Sequence, residues 1–333
     1  MRRRGLVPMA QLKYAEAVRA ALEAELAADE RVLVMGEEVG RLGGVFTTTV
    51  GLLDRFGPDR VLDAPISENA MVGWAIGAAV EGLRPVVEVM FSDFVLLALD
   101  QVVNLGAKLR YMSNGQFSVP LVLRMPGGAG TNHGPQHSQS LESVFAHVPG
   151  LIVALPSNAA DAYWMLRDAI RCDDPVVFLE SKYLYFRNSE EVDLENGRHG
   201  FFARVLRPGD SVTVVSAGRM APRCLEAAAA LEREGIACEV IDLRYLWPVD
   251  TRTIDESVAK TGRLVVVHEA VEFGGWGGQV AGWAAEHLFM DLDAPIVRVG
   301  AARVPIPFGA RLEDQVVPTS GRIAAAIRKV ARF

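Results

Sequence analysis

The sequence contains little cysteine and no excess of positive charge. Its 333 residues include three cysteines, Cys172, Cys224 and Cys238, which form neither a CxxC pair nor a metal-ligand spacing. We therefore expect a reduced, cytoplasmic compartment and no structural zinc. The formal net charge of −7 argues against nucleic acid or an anionic membrane surface as the main partner.

Long apolar runs are also missing. No stretch approaches the ~18 residues of a membrane span, and the basic start MRRRGLVPMA is not followed by the apolar segment of a signal peptide. We therefore expect no association with a membrane. Apolar residues nevertheless make up 50% of the chain, and its mean hydropathy is +0.19. These values predict a large core together with a large interface to another subunit.

Short apolar runs alternate with amphipathic stretches along most of the chain. This alternation predicts an α/β fold of two doubly wound, mostly parallel domains. A polar linker, residues 188–205, separates a first domain at 9–187 from a second at 206–333. Helices are predicted over 14–28 and about 95–110. The predicted strands cover residues 31–35, 61–62, 86–90, 119–124, 151–155, 176–180, 211–216, 238–243, 264–267 and 296–299.

The stretch DAPISENAMVGWAIGAAVEG, residues 63–82, predicts a turn followed by a helix rich in small residues. Ser67 is suited to the N-cap, and Glu68 then lies in the first turn. Gly73 and Gly77 share a helix face, where close approach of another helix would offset the roughly 1 kcal/mol that each glycine costs. Glu68 either only favours the helix dipole or is a catalytic acid at a subunit interface. The local sequence leaves both readings open.

Polar and glycine-rich segments follow several predicted strands, at the sheet edge where α/β proteins bind ligands. The most unusual is PGGAGTNHGPQHSQSLE, residues 126–142. It matches neither the dinucleotide GxGxxG spacing nor a Walker A loop, and its histidines have no zinc-ligand pattern. His133 and His137 are therefore either exposed polar residues or parts of a ligand site. The glycines favour the second reading, since they let a backbone approach a ligand closely.

Several segments, in order, resemble one family. They are GEEVGRLGGVF, DAPISENAMVGWAIGAAVEGLRPVVEVMFSDF, DQVVNLGAKLRYMS, GPQHSQSLE with FAHVPGL, DPVVFLE and VPIPFGARLEDQVVPT. Together they are similar to the beta subunit of the thiamine-diphosphate-dependent 2-oxo acid dehydrogenase first component. This family includes the beta subunits of pyruvate, branched-chain 2-oxo acid and acetoin dehydrogenases. The resemblance covers nearly the whole chain from Met9.

The resemblance implies a transketolase-like pyrimidine-binding domain followed by a transketolase C-terminal domain. It also implies oxidative decarboxylation with acyl transfer to a lipoyl group, in a heterotetramer of two alpha and two beta subunits. In the family, the alpha subunit holds magnesium and the diphosphate through a GDG-containing motif, which this sequence lacks. We therefore expect thiamine diphosphate to be shared with an alpha subunit. A lipoyl acyltransferase core is the further partner that the resemblance implies.

Five site residues follow from matching motif positions. Glu68 matches the carboxylate that hydrogen-bonds the cofactor's aminopyrimidine ring, which makes it the first candidate catalytic residue. Phe94 matches the aromatic residue that packs on this ring, and Ile66 and Met90 match its apolar neighbours. Glu37 matches the acid in the first strand-end loop, close to the pyrimidine.

His137 matches a histidine that faces the reacting centre and is suited to proton transfer during acyl handover to lipoyl. Several members also bind a potassium ion through backbone carbonyls. The matching positions here are Leu121, Ala169, Ile170, Cys172 and Asp174.

Two alternatives to a catalytic beta subunit stay open in the sequence. The chain could be a non-catalytic assembly or binding subunit of the same complex, or one half of a two-chain transketolase-like enzyme. Intact Glu68 and His137 favour catalysis over the first, and the QHSQS loop favours the dehydrogenase family over the second. The sequence does not decide between a 2-oxo acid and acetoin as substrate.

Overall fold

The computed structural model describes residues 9–187, 189–197 and 200–333. Its α-helices are α1 Tyr14–Ala28, α2 Leu52–Phe56, α3 Glu68–Val80, α4 Leu109–Met112, α5 Glu142–Ala146, α6 Ala159–Arg171, α7 Met220–Glu232, α8 Thr251–Thr261, α9 Gly277–His287, α10 Ala310–Val316 and α11 Ser320–Ala331. Its strands are β1 Met9–Leu12, β2 Val32–Gly36, β3 Val61–Asp63, β4 Arg84–Glu88, β5 Val122–Gly127, β6 Ile152–Ala154, β7 Val176–Ser181, β8 Glu190–Asp193, β9 Arg204–Arg207, β10 Val212–Ser216, β11 Cys238–Asp242, β12 Tyr245–Trp247, β13 Leu264–Val271 and β14 Val297–Ala301.

The first sheet has seven strands in the order β12-β6-β7-β5-β4-β2-β3. All neighbours run parallel except β12, which pairs antiparallel with β6. One core cluster packs α1 and α6 on one face, and a second packs α3 on the other face. Because both faces are covered, β2, β5 and β7 are buried along their whole length, as the apolar runs in the sequence predict.

The second sheet has the order β14-β13-β10-β11-β9 and is parallel except for β9. Helices α7 and α11 pack on one face, while α8 and α9 contribute to the core cluster that also contains α3. The two halves of the chain therefore share apolar packing. Strand β12 links them further, since it lies in the second half of the sequence but extends the first sheet.

The predicted fold class is confirmed, and so is the helix over residues 14–28. The single helix predicted over residues 95–110 is wrong. This segment consists of a 3-10 helix at Ser92–Ala98, a π-helix at Gln101–Gly106 and the short α4. The predicted linker, residues 188–205, includes β8, which pairs with β1. Within the described ranges, none of the helices is long and apolar enough to cross a membrane.

Candidate active site

Glu37 leaves the end of β2 and turns into the protein. The backbone there is tight, because a Cβ on Gly36 would lie 2.8 Å from the carbonyl oxygen of Glu88. Glu37 is only 5% exposed, and its Oε1 has no hydrogen-bond partner among the described residues. Burial raises the pKa of Glu37, and the nearby charges of Glu68 and Glu38 raise it further. The expected acids Glu37 and Glu68 are therefore close enough to interact.

Glu68 is the first residue of α3 and is buried. Ser67 occupies the N-cap position as predicted, but its side chain makes no capping hydrogen bond. Asn69 Nδ2 donates to the carbonyl oxygen of Leu97 at 3.4 Å, which fixes the start of α3 against the 3-10 helix after β4. The preceding Ile66 is 81% exposed, so this edge of the site is open in the single chain.

Phe94 and His137 lie against each other. Their ring centroids are 5.2 Å apart in an edge-to-face arrangement, and Phe91 contacts the same histidine at 4.7 Å. Met90 follows β4 in the chain, is half-buried and packs against the core cluster that contains Phe91. The structure thus joins the 3-10 helix to the glycine-rich loop through three rings, two of them belonging to predicted site residues.

His133 lies on the other side of Phe91, with a centroid distance of 5.8 Å. Its ring is exposed, and Nδ1 lies 2.8 Å from Thr131 Oγ1. Burial lowers the pKa of His133, and electrostatic interaction with Lys182 and His137 lowers it further. Both loop histidines therefore share one electrostatic environment.

Two charged residues of the site are absent from the sequence-based list. Asp93 is buried; its Oδ1 accepts from Gln139 N at 3.1 Å and Gln139 Nε2 at 2.9 Å, and its Oδ2 has no partner among the described residues. Lys182 is 1% exposed, donates to the carbonyl oxygen of His137 and lies over the Phe91 ring. Burial lowers the pKa of Lys182 to about 8. The sequence could have indicated both residues by their positions, because Asp93 follows β4 and Lys182 follows β7, at the sheet edge where α/β proteins bind ligands.

The positions matched to a potassium site already have protein partners. Arg84 Nη1 donates to the carbonyl oxygens of Ile170 and Cys172, each at 3.0 Å. The carbonyl oxygen of Leu121 accepts from Val176 N at 2.9 Å and that of Ala169 from Cys172 N at 3.2 Å. The Asp174 carboxylate accepts from Arg110 Nη1 at 2.5 Å. The described residues contain no cluster of three or more His, Cys, Asp or Glu residues suited to a metal. The potassium site stays a prediction.

Comparisons with known proteins identify the family to which the chain belongs. The chain matches the family described as "Transketolase, pyrimidine binding domain" over residues 10–187 and "Transketolase, C-terminal domain" over residues 202–323. It is 43% identical over 323 residues to the pyruvate dehydrogenase E1 component subunit beta of Rickettsia felis, covering 97% of this chain and 99% of that protein. It is 40% identical over 331 residues to the 2-oxoisovalerate dehydrogenase subunit beta of Bacillus subtilis, covering 98% and 100%. The chain belongs to the family of 2-oxo acid dehydrogenase E1 beta subunits.

A solved structure titled "Split gene transketolase, inactive beta4 tetramer" has the same fold as this E1 beta chain. The TM-score is 0.78 over 97% of this chain and 99% of that one, at 24% sequence identity. The family resemblance and fold inferred from the sequence are therefore confirmed. The roles assigned to Glu37, Ile66, Glu68, Met90, Phe94 and His137 stay predictions, to which the contacts above give a definite geometry.

Proposed function

We propose that this E1 beta subunit supplies half of a thiamine diphosphate site and acts with an alpha subunit in the oxidative decarboxylation of a 2-oxo acid, passing the acyl group to lipoyl. The observation that carries the proposal is the buried Oε1 of Glu37, which lies near Glu68 and has no hydrogen-bond partner among the described residues. A buried oxygen without a partner is costly and is uncommon in native proteins. It is accounted for if another molecule completes the site.

The residues present fit the aminopyrimidine half of the cofactor. Glu37 and Glu68 would meet its polar edge, because a carboxyl group can accept from an amino group and share a proton with a ring nitrogen. Phe94 and the half-buried Met90 would pack on its face. The exposed Ile66 supplies apolar surface that a cofactor and an alpha subunit would cover together.

When bound, thiamine diphosphate supplies the nucleophile and the electron sink that loss of carbon dioxide from a 2-oxo acid requires. This chain's contribution is to orient the ring and to hold a proton at the Glu68 carboxyl group. His137 has a different role. Its imidazole is suited to deliver a proton to the sulfur of a lipoyl group during acyl transfer.

The rest of the assembly follows from the family. We propose that two alpha and two beta subunits form the enzyme, with magnesium and the diphosphate bound by alpha. We also propose docking on a lipoyl acyltransferase core, a cytoplasmic location, and the potassium site at the positions described above. We also propose that the chain divides into two domains, at residues 9–187 and 206–333. The exposed apolar side chains Ile66, Trp74 and Leu97 support a covered surface beside the site.

The direct test is reconstitution with an alpha subunit from the same organism. We expect the purified assembly to convert at least one member of a panel containing pyruvate, branched-chain 2-oxo acids and acetoin. A 2-oxo acid would lose carbon dioxide, whereas acetoin would be cleaved with release of acetaldehyde. The same assembly should reductively acylate a lipoyl domain. An assembly that binds the cofactor but converts none of these substrates would contradict the proposed activity.

The isolated chain offers a second test. Because the sequence contains no GDG motif, the chain alone should be inactive and should bind thiamine diphosphate poorly, with or without magnesium. Calorimetry that shows micromolar binding by the isolated chain would contradict the proposed division of the site.

A further inference from the structure

The loop that carries both histidines, residues 128–139 and here called the histidine loop, is held by carboxylates of the second half of the chain. Ala129 N donates to Glu269 Oε1 at 2.6 Å. Gly130 N donates to Glu313 Oε2 at 2.9 Å, and Asn132 N donates to Glu313 Oε1 at 3.1 Å. One carboxylate thus accepts two loop N–H groups, one at each oxygen.

The loop backbone is shaped for this contact. Gly130 has φ 101° and Asn132 has φ 60°, both in the left-handed region. Gly130 also needs to lack a side chain, because a Cβ there would lie 2.5 Å from Tyr183 Cδ2 and 2.7 Å from Arg219 Nη1. The glycine-rich sequence therefore allows close contact with protein groups of the second domain.

Buried charges surround the contact. Glu313 and Arg219 are each 2% exposed, Arg219 Nη1 lies 3.4 Å from Glu269 Oε1, and the Arg219 guanidinium lies over the Tyr183 ring at 3.9 Å. Burial lowers the pKa of Lys182, and the negative charges of Glu269 and Glu313 partly oppose that shift. Lys182 in turn donates to the carbonyl oxygen of His137. The charged residues that contact the start of the loop therefore also interact with the residue that contacts its other end.

The far end is fixed by the first domain. Gln139 donates to Asp93 through its backbone N and its side-chain Nε2. Gln139 also accepts from Gly128 N at 3.0 Å, which closes the base of the loop. His133 and His137 lie between these two anchored ends, so a shift of either end moves the imidazoles relative to Phe91 and Phe94.

We propose that Glu313 is a positioning residue for the acyl-transfer step, holding the histidine loop in the conformation that presents His137. The C-terminal domain then acts on the reaction through three backbone N–H groups and touches no reacting atom. The proposal rests on the proposed function for the role of His137. Binding of the loop by Glu313 can be measured independently of that role.

The test uses Glu313→Gln in the full assembly. A glutamine offers one acceptor oxygen, so its NH₂ group faces one of the two loop N–H donors and that hydrogen bond is lost. Asp314→Asn is the matched control, because Asp314 is adjacent and largely exposed and, within the described residues, pairs with Arg223 and with no loop atom. Glu269→Gln is the second variant; it perturbs the contact to Ala129 and the ion pair with Arg219 but replaces neither acceptor oxygen of Glu313.

Amide hydrogen exchange over residues 128–139 is the first readout. Loss of a hydrogen bond to a charged acceptor predicts exchange about tenfold faster in Glu313→Gln, a smaller increase in Glu269→Gln and no change in Asp314→Asn. Unchanged exchange in Glu313→Gln would overturn the proposal, whatever the result for Glu269→Gln. This readout remains decisive even if the assembly transfers no acyl group and the proposed function fails.

Lipoyl acylation in two backgrounds is the second readout. Glu313→Gln should lower kcat for acylation about tenfold when His137 is present. It should change the residual rate less than twofold in His137→Ala, because a positioning effect disappears with the group that it positions. Equal losses in both backgrounds would overturn the assignment of Glu313 to His137.

Discussion

Two groups of buried acids belong to the first sheet and its rim, and within the described residues only one of them is fully paired. In the interior group, Arg124 donates to Glu88 Oε2 at 2.6 Å and to the two oxygens of Glu180 at 2.6 and 2.9 Å. In the rim group, at the strand ends, Glu37 and Asp93 each keep one buried oxygen without a partner in the described part of the chain.

This difference in pairing distinguishes acids that stabilise the fold from acids that are candidates for a functional role. Burying a charge costs several kcal/mol, and the bidentate Arg124–Glu180 pair offsets this cost within the chain. In the described part of the chain the buried Oε1 of Glu37 has no hydrogen-bond partner, and the neighbouring Glu68 adds a like charge. Arrangements of this kind are typical of functional sites, where a bound molecule completes the set of interactions. The interior group therefore has its charges paired within the chain, whereas the rim group keeps buried oxygens without a partner among the described residues.

Glu68→Gln should produce the largest effect on the rim. The amide keeps the shape of the side chain but cannot share a proton, so turnover by the assembly should fall about 10²–10⁴-fold. Decarboxylation assays on the purified assembly measure this. Glu81→Gln, at the opposite end of α3 and exposed, is the control and should retain activity. Near-normal turnover of Glu68→Gln would show that this residue only favours the helix dipole.

His137→Ala should divide the two half-reactions. Decarboxylation, followed in single turnovers with an artificial electron acceptor, should be largely spared. Reductive acylation of a lipoyl domain should fall about 10²-fold, because proton delivery to sulfur is lost. The exposed His147 supplies the matched His→Ala control. Equal losses in both assays would assign His137 a structural or substrate-binding role.

Gly77→Leu tests the surface that borders the rim and should have a smaller effect. Among the described residues, and apart from the two chain neighbours and the backbone of α3 itself, nothing lies within 4 Å of a Cβ placed on Gly77, whereas one on Gly73 would lie 3.3 Å from Gln101 Oε1. Leucine should therefore fit the isolated chain, where its helix propensity is favourable. It should weaken assembly if another helix approaches Gly77, as measured by light scattering. Gly77→Ala is the control; an intact, fully active Gly77→Leu assembly would exclude the close approach.

Much of the fold was predictable because the signals are local. The apolar runs that became β2, β7 and β10 are continuous, and the period of α1 is regular. Strands such as β8 were missed because they are short, largely polar and defined only by pairing with a distant partner. The irregular helices after β4 were missed for a related reason, since hydrophobic spacing does not separate 3-10 and π turns from an α-helix.

The site was predictable only in part. Strand-end positions and motif matches led to Glu37 and Glu68, which the structure brings together. Glu313 was not predicted, because it lies 183 residues from Gly130 and only the folded chain joins them. Its local signal was an acid in a short amphipathic segment, which usually indicates an exposed helix face. The glycines of the histidine loop indicated that its backbone closely approaches another group, but they did not identify that group.

The contrast between rim and interior is tested most directly by one matched pair, Glu37→Gln and Glu88→Gln, in unfolding experiments on the isolated chain. Both acids are buried, at 5% and 2% exposure. Because the folded-state pKa of Glu37 is raised, the stability from its neutral form is present below its ordinary pKa and lost as pH rises through the raised value.

At pH 8, Glu37→Gln should therefore unfold with a free energy equal to or above that of the unsubstituted chain, and near pH 4 the two should agree. Glu88→Gln leaves the Arg124 charge without one of its partners and should cost about 3–5 kcal/mol at pH 8. In the assembly, Glu37→Gln should lower turnover although the chain is stable. Equal destabilisation by the two substitutions would contradict the account.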